Sequence, residues 1–446
     1  MEALRRSAEI DSGLVETISA EEVQCKVRNM LDAKERAGAD HRLKCGGDSG
    51  SVMQATFKDV SIEALCTRVT SGSTPLRSRS DYFEKGAIDW FKTGELNDWF
   101  VESSIEKITP LALQETSLKV FPADTVLMAM YGDGRTITTL GILRKPATTN
   151  QACAAMLVDH QKCDPTYFFY ALKSRRHKLI GLALGGAQRN LSAKIIKGFC
   201  LPVPPLHTQR RIAGILSAYD ELIENNQRRI RILEDMARSL YREWFVHFRY
   251  PGHESVPLVN SPLGQIPQGW AVHKMGDIAD IKWGDTSKTK SSYVEEGYAA
   301  YSASGLDGKM DHYDFDQIGI VLSAIGAQCG KTWLARGKWS CIKNTIRFWS
   351  KDDCVSTEFL FVATDGQNFW PRRGAAQPFI SQGDAERIEL LISDRVTMKR
   401  FTVFVANAFE HISTLQEQTA SLRRTRDLLL PRLLSGQVAL TEQATK

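Results

Sequence analysis

No apolar run in the chain approaches the roughly 20 residues that cross a bilayer; the stretch 401–409 is short and contains Asn407. The first residues, Met-Glu-Ala-Leu-Arg-Arg, lead into charged sequence and not into an apolar segment, which argues against secretion and for the cytoplasm. Nine cysteines, from Cys25 to Cys354, include no C-x-x-C pair and no Cys/His cluster at zinc-ligand spacing. They are expected to stay reduced, as small and mostly buried residues. The nine histidines form no H-E-x-x-H, and no G-x-S-x-G marks a serine nucleophile. Metal sites and catalytic residues are therefore both expected to be none. Charge of one sign is also scarce: 57 Lys+Arg against 52 Asp+Glu leave +5, a mild lean toward polyanions.

What is present is a soluble, globular composition, 43% hydrophobic and 24% charged, with a mean hydropathy of −0.26. At 446 residues, the chain suggests two or three domains of about 100–200 residues each. Gly-Ala-Gln-Arg-Asn-Leu-Ser (186–192) recurs as Ala-Ala-Gln-Pro-Phe-Ile-Ser (375–381), setting Gln188 on Gln377 and Ser192 on Ser381 at an offset of 189. So long an offset implies two copies of a whole domain, not a solenoid. The segments 126–136 and 321–332 also match by letters, with the offset now 196 at their ends.

Each copy opens with a mixed region of short strand-like runs (125–130, 318–323, 345–349) between Gly, Asp and Ser. A helical part follows. Ile212, Leu216, Tyr219, Ile223, Asn226, Ile230, Leu233, Ala237, Leu240 and Trp244 alternate by four and three, a heptad seam with one polar member. Shifted by 189, the seam reads Phe401, Val405, Ala408, Ile412, Leu415, Thr419, Leu422, Arg426 and Leu429. Two such seams satisfy each other as an intramolecular coiled coil. The expected fold is α/β (α+β), with two globular domains separated by two long antiparallel helices in a pseudo-two-fold repeat. Residues 251–268 hold four prolines and read as the linker.

Candidate chemistry is thin. Gly326-Ala-Gln-Cys-Gly-Lys-Thr332 has three residues between its glycines where a Walker loop needs four. Asp164-Pro-Thr-Tyr167 is one letter from the Asp-Pro-Pro-Tyr of amino-methyltransferases, but no glycine-rich methyl-donor loop accompanies it. It reads as a helix start with proline in the first turn.

Basic and polar loops remain. Arg68, Ser73, Thr74, Arg77 and Arg79 stand in a stretch free of carboxylates until Asp81, while Lys288, Lys290 and Lys331 lie in the second copy. Arg135, Gln188 and Arg189 in the first copy, with Arg372, Arg373 and Gln377 in the second, complete the candidate DNA-binding set. A solvated charged face is the plainer account of any single cluster, and recurrence in both copies weighs against it.

Several stretches carry a resemblance: Thr70-Ser-Gly-Ser-Thr-Pro75, Ile88-Asp-Trp-Phe-Lys-Thr-Gly-Glu-Leu96, Asn190-Leu-Ser192 and Pro202-Val-Pro-Pro205 running into Gln209-Arg-Arg-Ile-Ala213. Glu243-Trp-Phe245 and Leu429-Leu-Pro-Arg-Leu-Leu-Ser-Gly436 close the two helical segments. From Phe57 onward the chain resembles the DNA specificity subunit of type I restriction-modification systems. The resemblance implies two target recognition domains (56–205 and 269–394), a central spacer helix (206–250), the linker 251–268, a C-terminal spacer helix (395–436) and a tail (437–446). Residues 1–55 match nothing in that plan and are expected as a mobile extension. Each recognition domain would read half of a bipartite asymmetric DNA site. The partners implied are double-stranded DNA, two methyltransferase subunits and restriction/translocase subunits; S-adenosylmethionine, ATP and Mg serve those partners, with no cofactor in this chain. The rival readings are a single-chain restriction and methylation enzyme, for which a methyl-donor loop is missing, and a coiled-coil scaffold unrelated to DNA.

Overall fold

Four apolar residues in a row suit a strand covered on both faces, and Val126–Ala129 is such a strand, with every residue buried. The computed structural model describes residues 57–132, 136–183, 189–374 and 377–438. They form two compact units, one drawn from 15–225 with 418–446 and the other from 226–417. The expected extension 1–55 lies outside the described residues, as does all but the start of the expected tail.

In chain order the first unit contains β1 (Lys58–Ser61), α1 (Ile62–Leu65), β2 (Cys66–Ser71), β3 (Trp99–Val101), β4 (Val126–Ala129), β5 (Leu140–Leu143) and β6 (Cys153–Val158). α2 (Pro165–Ser174), α3 (Ala193–Gly198) and β7 (Cys200–Val203) follow, and then the long helix α4 (Leu206–Tyr241) begins. Its main sheet has the order β2-β6-β4-β5-β3, antiparallel except at the β3–β5 edge, and β1 pairs with β7 separately. Asp164 caps α2 by accepting the Tyr167 N–H at 2.9 Å, with Pro165 at the first helical position, so the near-tetrad is the helix start expected of it. The cap sets Tyr167, Phe168, Phe169 and Tyr170 into the core with Val126, Met128 and Ile142.

The second unit contains β8 (Ala271–Lys274), α5 (Met275–Ile278), β9 (Ala279–Trp283), β10 (Gly319–Ser323), β11 (Thr332–Ala335) and β12 (Thr345–Ser350). Then come α6 (Thr357–Ala363), α7 (Gln382–Glu386), β13 (Glu389–Ile392) and the start of α8 (Arg395–Leu434), whose residues from 418 onward belong to the first unit. The sheet order β9-β12-β10-β11 repeats β2-β6-β4-β5, and β8 pairs with β13 as β1 does with β7. Ser192 and Ser381, matched by the sequence repeat, cap α3 and α7. Their likeness records helix capping.

The upstream repeat needs a correction. On letters Ala129 matches Ala324, but Cys153 pairs with Ala129 and Thr345 with Ser323. Likewise the Leu191 N–H donates to the Met130 carbonyl and the Ile380 N–H to that of Ala324. Ala129 therefore corresponds to Ser323. The letters misled because the hairpin loops differ in length: Met128 lies opposite Leu140, whereas Leu322 lies opposite Thr332. A one-residue slip turns every side chain to the other face, so the ladder, not the spelling, fixes the match.

The expected linker is also more ordered than its prolines suggested, because Leu258–Ser261 pairs with Gly264–Pro267 in a hairpin whose turn uses Gly264 at φ +96°. Both long helices are present. α4 continues into a π-helical turn, Arg242–Val246. In the first unit Ile212, Leu216, Tyr219, Ile223 and Leu422 are buried and Leu429 is partly so. In the second, Asn226, Phe401, Val405, Ile412 and Leu415 are buried, with Ile230, Leu233 and Leu240 partly buried. Among the described residues no helix is long and apolar enough to cross a membrane.

Candidate nucleic-acid interface

Antiparallel pairing brings one set of strand ends together in each sheet. In the second unit β9 and β10 end where β11 and β12 begin, and the loops at that edge are knitted by backbone bonds. Asp285 N–H donates to Cys341 at 2.9 Å, Ala324 to Asn344 at 3.0 Å, Gly326 to Pro378 at 3.0 Å, and Arg373 and Phe379 to each other at 2.9 Å. This gathers Lys288, Lys331, Arg372, Arg373 and Gln377 along one sheet edge. Gly284 makes it possible, since a Cβ there would lie 2.3 Å from Thr345 Oγ1 and 2.6 Å from the Ile342 carbonyl.

The first unit repeats the edge. β2 ends at Ser71, and a Cβ on the next residue, Gly72, would fall 2.0 Å from the Thr149 carbonyl. Ser73 N–H donates to that carbonyl at 2.9 Å, and its hydroxyl meets Ser117 at 3.0 Å. Thr74 bonds Gln151. Asn190 pairs with Tyr131 in the first unit as Phe379 does with Ile325 in the second, so the segments leading into the two serine-capped helices leave equivalent strands. Gln188 and Arg135 lie outside the described residues.

The cations at these edges fall into two groups. Arg77 pairs with Glu106 at 2.6 Å and covers the Phe83 and Trp90 rings at 4.8 and 4.9 Å. Together with Lys92 it holds the Glu106 carboxyl down to about 2. Arg79 pairs with Asp81 and Glu115 and covers Tyr82. Lys290 pairs with Asp307, and Arg373 with Asp384, which Ser381 and Arg387 also engage; the three hold its carboxyl down to about 2.

Other cations carry no ion pair among the described residues: Arg68, Lys288, Lys331, and Arg372, which only meets Asn368 at 2.9 Å. Arg68 sits on β2 and not in the loop. Residue-type reasoning places Trp283 with the lysines of its loop but missed Lys343, exposed and donating its backbone N–H to Lys288, and the exposed rings of Tyr131 and Phe379. An aromatic directly beside a strand-ending glycine, as in Tyr131-Gly132, is the signal that was there to use.

Among the described residues no group of three His, Cys, Asp or Glu is placed to hold a metal ion. The seven described cysteines are free thiols, five of them buried, and burial pushes Cys66 and Cys153 up to about 12.

A duplicated α/β unit with polar, glycine-turned loops at one sheet edge and a long helix after each copy defines a protein built of two like units. The family described as type I restriction modification DNA specificity domain matches residues 55–235 and 267–390, and the chain belongs to that family. It is 24% identical over 400 residues to the type I restriction enzyme MjaIX specificity subunit of Methanocaldococcus jannaschii, across 84% of this chain and 92% of that one. The EcoR124I/EcoR124II specificity subunit of Escherichia coli is 27% identical over 154 residues, 34% of this chain and 38% of its own. The crystal structure of a type I restriction-modification S subunit from M. genitalium shares the fold, with a TM-score of 0.55 at 17% identity over 90% of this chain and 99% of that one.

Proposed function

We propose that the chain is the DNA sequence-recognition subunit of a type I restriction-modification complex, each unit reading one half of a bipartite asymmetric site. The observation that carries this reading is the repeated loop edge, where equivalent strand ends in both units present cations, hydroxyls, amides and exposed rings. Such a surface anchors phosphates through lysine and arginine and leaves other side chains to read base edges.

Recognition domains at 56–205 and 269–394 then alternate with spacer helices at 206–250 and 395–436, which pair as an antiparallel coiled coil. The subunit itself is non-catalytic and cytoplasmic. It recruits two methyltransferase subunits and the restriction subunits, which use S-adenosylmethionine, ATP and Mg.

Two measurements test this. Binding of the purified chain with its methyltransferase subunits to duplex DNA should fall steeply with salt, and long-read mapping of host methylation with and without this gene should show one bipartite motif disappear. Salt-insensitive or absent DNA binding would return the scaffold reading; methyl transfer by the isolated chain would return the single-chain enzyme.

A further inference from the structure

The two units bury different chemistry at equivalent positions beside their long helices. In the first unit Tyr170 of α2 donates its hydroxyl to Asp220 Oδ2 of α4 at 2.6 Å, and Arg426 of α8 pairs with the other oxygen of the same carboxylate. The side chains of Arg426 and Asp220 are only 12% and 5% exposed, so the pair is nearly dry. The capping residues Asp164 and Ser356 align α2 with α6 and set Tyr170 on Val362. The helix offset of 189 sets Asp220 on Phe409 and Arg426 on Ala237. In the second unit Val362, Phe409 and Ala237 are all buried within one apolar cluster, Phe409 packing edge-on against Phe361 at 5.3 Å.

This difference has a consequence for pairing. α4 and α8 carry the same heptad seam, so apolar pattern alone lets α4 pack against the α4 of a second copy of this chain. In that arrangement Ala237 of one copy takes the place of Arg426, and Asp220 is buried with no counter-charge. Two α8 helices fail in the opposite sense, burying Arg426 against Phe409. A buried charge deprived of its partner is strongly unfavourable, whereas a buried pair is roughly neutral against an apolar replacement. The triad therefore contributes less by adhesion than by penalising the wrong partner.

We propose that Tyr170, Asp220 and Arg426 form a pairing selector, which makes the first half of α4 accept the last part of α8 and reject the α4 of another copy. The apolar counterpart in the second unit supplies adhesion without choosing. The proposal rests on these contacts and is independent of the DNA-recognition reading.

The test uses the full-length chain in sedimentation equilibrium across the micromolar range, after refolding from denaturant so that pairing equilibrates. The transplant Tyr170→Val with Asp220→Phe and Arg426→Ala, which copies the second unit, is expected to raise the chain–chain association constant at least about tenfold, or about 1.4 kcal/mol. Asp220 opposite Ala237 sets the seam residue Asn226 of one copy beside Ile230 of the other, so added Asn226→Cys and Ile230→Cys should form a disulfide between copies in the transplant and not in its parent. Asp220→Asn, isosteric and able to keep the Tyr170 bond, should move both readouts in the same direction, and it decides the matter if the transplant does not fold. Lost thermal stability with unchanged association and no disulfide would show an ordinary structural ion pair and overturn the selector.

Discussion

At the scale of the residue, positive charge in the loops was legible and its pairing only in part. Arg79 has Asp81 two residues on as a legible partner, but Glu106, which pairs with Arg77, and Glu115, which also pairs with Arg79, arrive from 29 and 36 residues further on. Lys331 has no such partner among the described residues. Lys331→Ala should therefore weaken binding to all DNA sequences alike and reduce the magnitude of the salt slope by about 1. Arg77→Ala should leave the slope nearly unchanged while lowering the melting temperature, because two ring contacts and a carboxylate partner go with it. Anisotropy titrations over a salt series, with melts alongside, separate the two; the reverse assignment would refute the placement of the surface. Asp384 gives a pH test. Its folded carboxyl lies at about 2 against an ordinary 3.8, so the ionised form is favoured by folding. The stability it contributes is present above about 4 and is lost as pH falls toward 2. In urea melts Asp384→Asn should be less stable than the native chain at pH 5, with the gap narrowing as the pH is taken below 3; a gap independent of pH would contradict the linkage.

At the scale of the element, composition located the strands because buried runs such as Gly-Ile-Val-Leu-Ser in β10 have no other use. Register was beyond the letters, since hairpin loops of unequal length hid the slip between Ala129 and Ser323. The glycines after β2 and β9 belong to the same lesson. In the sequence they are only members of polar loops, and the structure gives them a steric reason: each sits where only a hydrogen fits against backbone. Gly72→Ala and Gly284→Ala should each destabilise by about 1–3 kcal/mol, since a carbonyl cannot step aside as a side-chain end can. Paired urea melts check this, and unchanged midpoints would mean that the strand ends are soft. The helices were the most legible elements of all, because a seam kept over more than four heptads has few competing explanations.

At the scale of the whole molecule, the proposed coiled coil makes helix length a determinant of the DNA site. α4 has 36 residues, about 54 Å at roughly 1.5 Å per residue, enough to serve half-sites one DNA turn apart, near 34 Å. Four residues inserted after Asn226, with four more between Glu417 and Gln418 of α8, add about 6 Å to each helix and nearly preserve its apolar face. Two residues at each place rotate that face by more than half a turn, exposing the side that Ile230 and Leu233 now cover, and should destabilise the chain. Because the loop edges are untouched, the four-residue variant should leave both half-site sequences unchanged and lengthen the unread gap by one or two base pairs, at about 3.4 Å each. Mapping the methylated motif of that variant in its complex tells the outcomes apart. An unchanged gap would mean that the helices do not set the spacing, and altered half-site letters would mean that recognition is not confined to the loop edges.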